Sequence, residues 1–431
     1  MGGVAGLAVL LARLEDQLRA CMRCGFCQAA CPLYAQTGRE EDVARGKLAL
    51  LCGLLERSLG EAEEVRRLLE RCLLCGACAT ACPRGVEVME IFLQARAALG
   101  EYLGLPAAKR LVLRGLLARP VRFHRLLAAA PRLQNLVTHP ARPQLDTACL
   151  RLPGRLGRRH LKRLAAVPLH RRLASRPASA DARVLFFSGC LIDKVFPQTG
   201  LAALAALERQ GLAVEVPAGQ GCCGLPALAA GDRDSFLSLL RHNLALFSRP
   251  GVEAVVTACA TCAATLRRFW PLAARELPPA EQRAVEAVAA RTYEVSAFLS
   301  ALGPRVVDRP RPAPSVTCHD PCHLTHSLAG NAAPREILSA AGARLVEMAR
   351  PQDCCGLGGS FALHYRELSR AIGRRKREQV LATGAQVVAT SCPACMLQLS
   401  ELLSQTGAGV QVRHVVEIYA QALAGEEALP A

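Results

Sequence analysis

Twenty-one of the 431 residues are cysteine, and their spacing indicates what they can do. Two copies of the run C-x2-C-x2-C-x3-C-P stand in the first quarter: Cys21, Cys24, Cys27 and Cys31 before Pro32, then Cys72, Cys75, Cys78 and Cys82 before Pro83. Three thiolates at such spacing can wrap one corner of an iron–sulfur cubane, while the fourth, beyond the turn, reaches a second cluster. Cys21, Cys24, Cys27 and Cys82 are therefore assigned to one 4Fe-4S cluster, and Cys72, Cys75, Cys78 and Cys31 to another. Each proline ends the local turn, and Gly25 and Gly76 let the backbone come close to inorganic sulfide. Structural zinc is the alternative. It would favour separated C-x2-C pairs over four crowded cysteines before a proline, and it would leave the protein colourless.

The remaining cysteines form a second pattern. Cys190, Cys222, Cys223, Cys259 and Cys262 recur as Cys322, Cys354, Cys355, Cys392 and Cys395, at an offset of 132 for the first three and 133 for the last two. Five cysteines placed twice in register, with one residue inserted in the second copy, mark a long internal repeat in which each five share a duty. Cys318 has no counterpart in the first copy, and Cys52 and Cys149 stand alone; all three read as buried thiols. His319, Asp320, His323 and His326 surround Cys322. Histidines beside a thiolate could shuttle protons, although helix capping and hydrogen bonds to cluster sulfur or backbone are the plainer use.

The elements that must position these motifs follow from hydrophobic pattern. Short apolar runs at residues 184–187, 212–216 and 254–257 lead to the first five cysteines, and runs at 315–317, 344–348 and 386–390 lead to the second five. Helical stretches at 199–210, 234–247 and 367–382 lie between them. The pattern is βαβαβα twice, which predicts parallel sheets with the cysteines in loops at the carboxyl ends of the strands. The 40 residues between Cys31 and Cys72 are charged and leucine-rich, as at 46–59 and 61–69, and read as helices.

On these residues the chain resembles known families. The two early runs are those of a bacterial two-cluster ferredoxin, here in an α-helical form. The later pattern, a cysteine, then Cys-Cys-Gly, then C-x2-C, resembles the CCG domain of heterodisulfide reductases. The whole is similar to the iron–sulfur subunit of glycolate oxidase and the related subunit of D-lactate dehydrogenases, over roughly residues 15–100 and 182–425. The resemblance implies a further iron–sulfur cluster at each CCG site, one on Cys190, Cys222, Cys223, Cys259 and Cys262 and one on Cys322, Cys354, Cys355, Cys392 and Cys395. Both five-cysteine sets are complete, which leans toward the heterodisulfide reductase and lactate dehydrogenase branches.

The expected fold class is α+β and multidomain: an α-helical ferredoxin-like domain at 1–100, a basic helical linker at 101–181, and a duplicated α/β domain with one CCG repeat at 182–305 and the other at 306–431. No G-x-G-x-x-G follows a strand, and Gly356, Gly358 and Gly359 are explained by the turn after the cysteine pair. Clusters do not accept hydride. The expected function is thus an electron-transfer subunit serving a FAD-containing dehydrogenase subunit that oxidises glycolate or D-lactate, with a quinone or another carrier as acceptor. A catalytic thiol–disulfide reductase is the alternative.

Charge adds one more expectation. Residues 106–180 hold 17 Lys and Arg against the single acid Asp146, so nearly all of the chain's +17 lies there. Leucine alternates with arginine along this stretch, which suits an anionic membrane surface or an acidic partner, or else a solvated linker. Five Tyr, one Trp and no recognition module argue against nucleic acid. The apolar run 4–11 lacks a basic flank and is stopped by Arg13, so it starts an amphipathic helix, not a signal peptide. No stretch reaches the roughly 18–20 apolar residues of a membrane span. The expected location is cytoplasmic, with peripheral attachment at the inner face of the cell membrane as an option.

Overall fold

Leucine and alanine recurring at three- and four-residue intervals fold the N-terminal quarter into helices at Val4–Leu11, Glu15–Arg19, Ala44–Leu55, Ala62–Glu70 and Val88–Leu103. Leu7 and Leu11 share one face of the first helix and are fully buried, while Val9 on the other face is exposed. In the last helix Ile91, Phe92, Ala95 and Leu99 form the buried stripe. The structure, a computed structural model, describes residues 4–151, 159–175, 183–307 and 314–425. These residues form two compact units. One is the chain up to Arg119 with Gly224–Leu240 and Gly356–Ile372; the other is Pro120–Cys223, Arg241–Cys355 and the residues from Gly373 onward. The described residues of the first unit contain no strand, as the helical ferredoxin-like reading requires.

The described residues of the second unit form three sheets. Strands β1 (Thr138–Arg142), β2 (Thr147–Leu150) and β3 (Leu161–Lys162) form a small antiparallel sheet. The first repeat supplies β4 (Val184–Phe186), β5 (Val214–Glu215), β6 (Ala254–Thr257) and β7 (Thr292–Glu294), ordered β5-β4-β6-β7 and all parallel. The second supplies β8 (Ser315–His319), β9 (Arg344–Leu345), β10 (Val387–Thr390) and β11 (Gln411–His414), ordered β9-β8-β10-β11 and again all parallel. Matching strand orders show the duplication in the fold itself. Strand order reverses direction between β4 and β6, and between β8 and β10, so the crevice at their carboxyl ends is the natural ligand position.

Two expectations change. Among the described residues each repeat has four strands, not three: β7 and β11 are short and polar, and they form by pairing at the sheet edge with β6 and β10 rather than through an apolar run of their own. The stretch 101–181, expected as a helical linker, holds β1–β3 as well as the helix Pro120–Val137, and its basic residues are partly used inside the second unit. Arg159 is buried and makes a bidentate pair with Glu401 at 2.7 and 3.0 Å. Thr147 and His160 both meet the hydroxyl of Ser404. Glu401 and Ser404 lie on the helix Pro393–Ser404, and Leu145 joins Met348, Val380, Val388, Leu399 and Leu403 in one apolar cluster. These contacts brace the helix that carries Cys395. Residues 152–158 and 176–181 of this stretch lie outside the described residues.

Candidate metal centres

Each early cysteine run builds the same backbone device. Arg23 and Gly25 in the first run, and Leu74 and Gly76 in the second, all have positive φ. Alternating left-handed residues turn successive backbone N–H groups to one side, a concavity suited to a negatively charged cluster. The Leu74 N–H lies 3.4 Å from Cys72 Sγ, and the Tyr34 N–H 3.4 Å from Cys31 Sγ. The one-turn helices that follow, Phe26–Ala30 and Ala77–Thr80, pack on each other, which brings the end of each run toward the start of the other. A small cavity is lined by Cys31, Cys72, Cys75 and Cys78 together with Leu73, Val88 and Phe92. It thus gathers three cysteines of the second run with the fourth of the first. Cys27 lies near Cys21, Cys24 is exposed and Cys82 is half-buried.

Arg96, which the sequence did not single out, anchors the second run. It is buried and donates to the carbonyls of Leu69, Cys72 and Ala229. Lys47, also buried, donates to Glu41 O at 2.8 Å, and Asp42 beside it pairs with Arg71 at 2.7 Å.

The first CCG set converges from three loops of one sheet. Cys190 follows β4 in the first turn of Gly189–Lys194, Cys222 and Cys223 follow β5, and Cys259 follows β6 as N-cap of Ala260–Ala264. Cys222 contacts the thiols of Cys190 and Cys223, and Cys262 contacts those of Cys223 and Cys259. Asn243, fully buried, fixes the pair by accepting from Gly221 N and donating to Cys222 O, and Trp270 Nε1 donates to Cys223 O. Gly224 is needed here: φ is +96°, and a Cβ would lie 2.6 Å from the Phe236 ring.

The second set repeats the plan. Cys322 contacts Cys354, Cys355 lies 3.7 Å from Cys395, and Cys395 contacts Cys392. Buried Lys376 takes the place of Asn243, donating to the carbonyls of Arg350 and Pro351. The two sets also meet, since Cys259 contacts Cys392 and Ala260 N donates to Ser391 O.

Thiol chemistry tests whether these sites suit metal. Contact with Cys190 pushes Cys222 up, contact with Cys354 pushes Cys322 up, and burial pushes Cys78 up. Contact with Cys259 and Cys395 pushes Cys392 down, so one thiolate is favoured in the cluster of thiols, while the raised thiols around it become thiolates only with cations to balance them, which iron supplies. The hydroxyls of Thr257 and Thr390, at matching positions two residues before Cys259 and Cys392, are buried without a hydrogen-bond partner among the described residues. The residues fit iron–sulfur clusters. All 21 cysteines are unpaired as disulfides.

The neighbouring polar residues divide by role. Asp320 is tied to Arg335 at 2.8 Å and is structural. His323 lies 3.1 Å from Thr261 Oγ1. Burial lowers His326, and it pushes His319 down to about 3. Cys318 and Cys149 are buried and Cys52 is half-buried.

Comparison with known proteins agrees with this geometry. The cysteine-rich CCG domain matches residues 184–267 and 316–400, and a 4Fe-4S dicluster domain matches residues 17–86. The probable glycolate oxidase iron-sulfur subunit of Bacillus subtilis is 31% identical over 419 residues, which cover 93% of this chain and 92% of that protein. Lactate utilization protein A of Exiguobacterium sp. is 31% identical over 237 residues, 54% of this chain and 96% of that protein. A component of the dihydromethanophenazine:CoB–CoM heterodisulfide reductase of Methanosarcina barkeri is 27% identical over 434 residues, 94% of each. With a dicluster domain followed by two CCG domains, the chain belongs to the family of iron–sulfur oxidoreductase subunits that includes the glycolate oxidase iron-sulfur subunits.

Proposed function

We propose that this chain is the electron-transfer subunit of a complex in which a FAD-containing partner oxidises a 2-hydroxy acid, glycolate or D-lactate. Oxidation of such an acid to the 2-oxo acid releases two electrons and two protons, and the flavin divides the pair into single electrons. Clusters bound here would supply one-electron transfer. Cys21, Cys24, Cys27 and Cys82 would hold one 4Fe-4S cluster, Cys72, Cys75, Cys78 and Cys31 the other, and the two CCG sets would hold further iron–sulfur clusters, with a quinone or another carrier as the acceptor. The gathering of Cys31 with Cys72, Cys75 and Cys78 around one cavity carries this reading, because four thiols lining one cavity are a ligand set for a 4Fe-4S cluster.

The helix Pro120–Val137 supports contact with an anionic membrane surface. Leu126, Leu133 and Leu136 are exposed beside exposed Arg122, Arg125 and Arg132. No helix among the described residues is long and apolar enough to cross a membrane.

A second reading, catalytic reduction of a disulfide, is favoured by one observation: both five-cysteine sets are complete and touch through Cys259 and Cys392. Anaerobic affinity purification from the native host separates the two. A co-purifying flavoprotein, with clusters bleached by glycolate or D-lactate, supports the first reading. Clusters that arrive without flavin and respond only to thiols or disulfides support the second.

A further inference from the structure

We propose that His319 supplies a nitrogen ligand to the iron–sulfur centre of the second CCG site, so that this centre is held by thiolates and one imidazole while the first is held by thiolates alone. The inference rests on the reading of the CCG sets as cluster sites.

His319 is the last residue of β8 and is 1% exposed, at the carboxyl end where ligands gather. Its Nδ1 lies 3.2 Å from Pro351 O. A carbonyl oxygen only accepts, so Nδ1 carries the hydrogen, and in the neutral ring Nε2 carries the lone pair. That Nε2 is buried and has no hydrogen-bond partner among the described residues. An orphaned nitrogen inside a protein is costly unless something not made of protein satisfies it. The histidine's ligand atom and the Sγ atoms of Cys355 and Cys395 all lie within 4.8 Å of one another. Imidazole suits iron, and a metal-binding histidine commonly donates its other N–H to a backbone carbonyl, the arrangement seen with Pro351.

The first repeat lacks this group. At the 132-residue offset His319 corresponds to Phe187, which is buried against the Phe247 ring at 5.5 Å. By taking the coordination position of one of the five thiolates, His319 would remove negative charge from the second cluster and raise its potential. The second site would therefore be the stronger electron acceptor of the pair, giving the two repeats a direction that their matching cysteines alone do not.

The test uses the full chain, loaded anaerobically, with histidine labelled by nitrogen-15, and pulsed EPR of the paramagnetic CCG signals. A strongly coupled histidine nitrogen is expected at one CCG centre. It should vanish in His319→Phe and in His319→Cys, with the cysteine variant keeping its iron and sulfide and titrating at a lower potential. A CCG signal in the unaltered protein with no strongly coupled histidine nitrogen overturns the inference alone, as does full coupling retained in His319→Phe. Iron and sulfide no greater than the two ferredoxin-type clusters require overturns the inference together with the reading beneath it. Because the unaltered protein answers the question by itself, a variant that fails to fold leaves the test decisive.

Discussion

The hydroxyl of Thr261, in the first repeat, lies 3.3 Å from Sγ of Cys392 in the second. His323 Nδ1 lies 3.1 Å from the same oxygen. One hydroxyl offers one hydrogen, so both contacts are satisfied when His323 donates to Thr261 and Thr261 donates to Cys392. Hydrogen bonds to ligand sulfur stabilise the reduced, more negative state of a cluster. Thr261→Val keeps the shape and removes the donor. The second CCG centre should then fall in potential by roughly 60 mV, one tenfold step in a one-electron equilibrium. EPR-monitored redox titration reads this shift, and an unmoved potential would remove Thr261 from the sulfur's hydrogen-bond shell.

Arg96 offers a stability test in the first unit. Its guanidinium satisfies the carbonyls of Leu69, Cys72 and Ala229 at once. Arg96→Met fills much of the space but takes this donor from the carbonyls of Cys72 and Ala229, Leu69 O keeping the Cys72 N–H, at a cost of about 1–3 kcal/mol for each group left bare. Thermal unfolding should begin several degrees lower, and iron should be lost first from the centre that includes Cys72. Unchanged melting and iron retention would contradict the anchoring role.

The cysteine patterns were legible because ligand spacing is written locally: a run such as Cys72, Cys75, Cys78 needs no knowledge of the rest of the chain. The repeat was legible for the same reason, and it carried the parallel α/β fold with it. What stayed hidden depends on partners far apart in sequence. Arg159 looked like surface charge because nothing near it announces Glu401, which neutralises it. The strands β7 and β11 were missed because Thr292–Glu294 and Gln411–His414 have no apolar pattern and become strands only by pairing. His319 was visible beside Cys322, but its nearness to Cys355 and Cys395 exists only in three dimensions. A comparison of the two repeats position by position, which sets it opposite Phe187, was the available signal.

Cross-pairing of the early runs makes a selective prediction. Cys31→Ser should remove the cluster that the second run holds, although Cys31 belongs to the first run in sequence, because Cys31 shares its cavity with Cys72, Cys75 and Cys78. Cys82→Ser should instead remove the cluster of Cys21, Cys24 and Cys27. Combining each with Cys75→Ser decides the matter by iron content. Cys31→Ser with Cys75→Ser should lose no more iron than Cys75→Ser alone, whereas Cys82→Ser with Cys75→Ser should lose twice as much. The reverse result would mean that each run keeps its own fourth ligand.

Glu294 ties stability to pH. It caps the helix Val295–Leu302 by accepting from Ser296 N at 2.8 Å, and burial raises its carboxyl from 4.5 to about 8. A carboxyl raised in the folded state binds more protons folded than unfolded across that interval. Its contribution is therefore fully present below 4.5 and is lost as pH rises toward about 8. Glu294→Gln retains the capping oxygen and removes the titration. The unaltered protein should lose a few kcal/mol relative to this variant between mildly acidic and mildly alkaline pH, since each unit is worth about 1.4 kcal/mol. Paired melting curves across the interval measure the difference, and a gap that does not change with pH would show that the carboxyl titrates normally.

The helix Pro120–Val137 turns three of its leucines outward. Leu126, Leu133 and Leu136 are 57%, 60% and 72% exposed, while the helix packs inward through Phe123, Leu127 and Pro131, which are partly or fully buried. Apolar side chains exposed beside Arg122, Arg125 and Arg132 can enter the headgroup boundary of an anionic bilayer, with about 1 kcal/mol from each basic residue near the surface. The full chain should therefore float with vesicles containing phosphatidylserine and not with neutral ones, and added salt should release it. Leu126→Glu with Leu133→Glu removes apolar contact and adds repulsion, so vesicle binding should fall more than tenfold with no loss of iron. Flotation that ignores lipid charge, or survives both substitutions, would assign this face away from the membrane. Loss of the co-purifying flavoprotein in that double variant would assign it to the partner subunit instead.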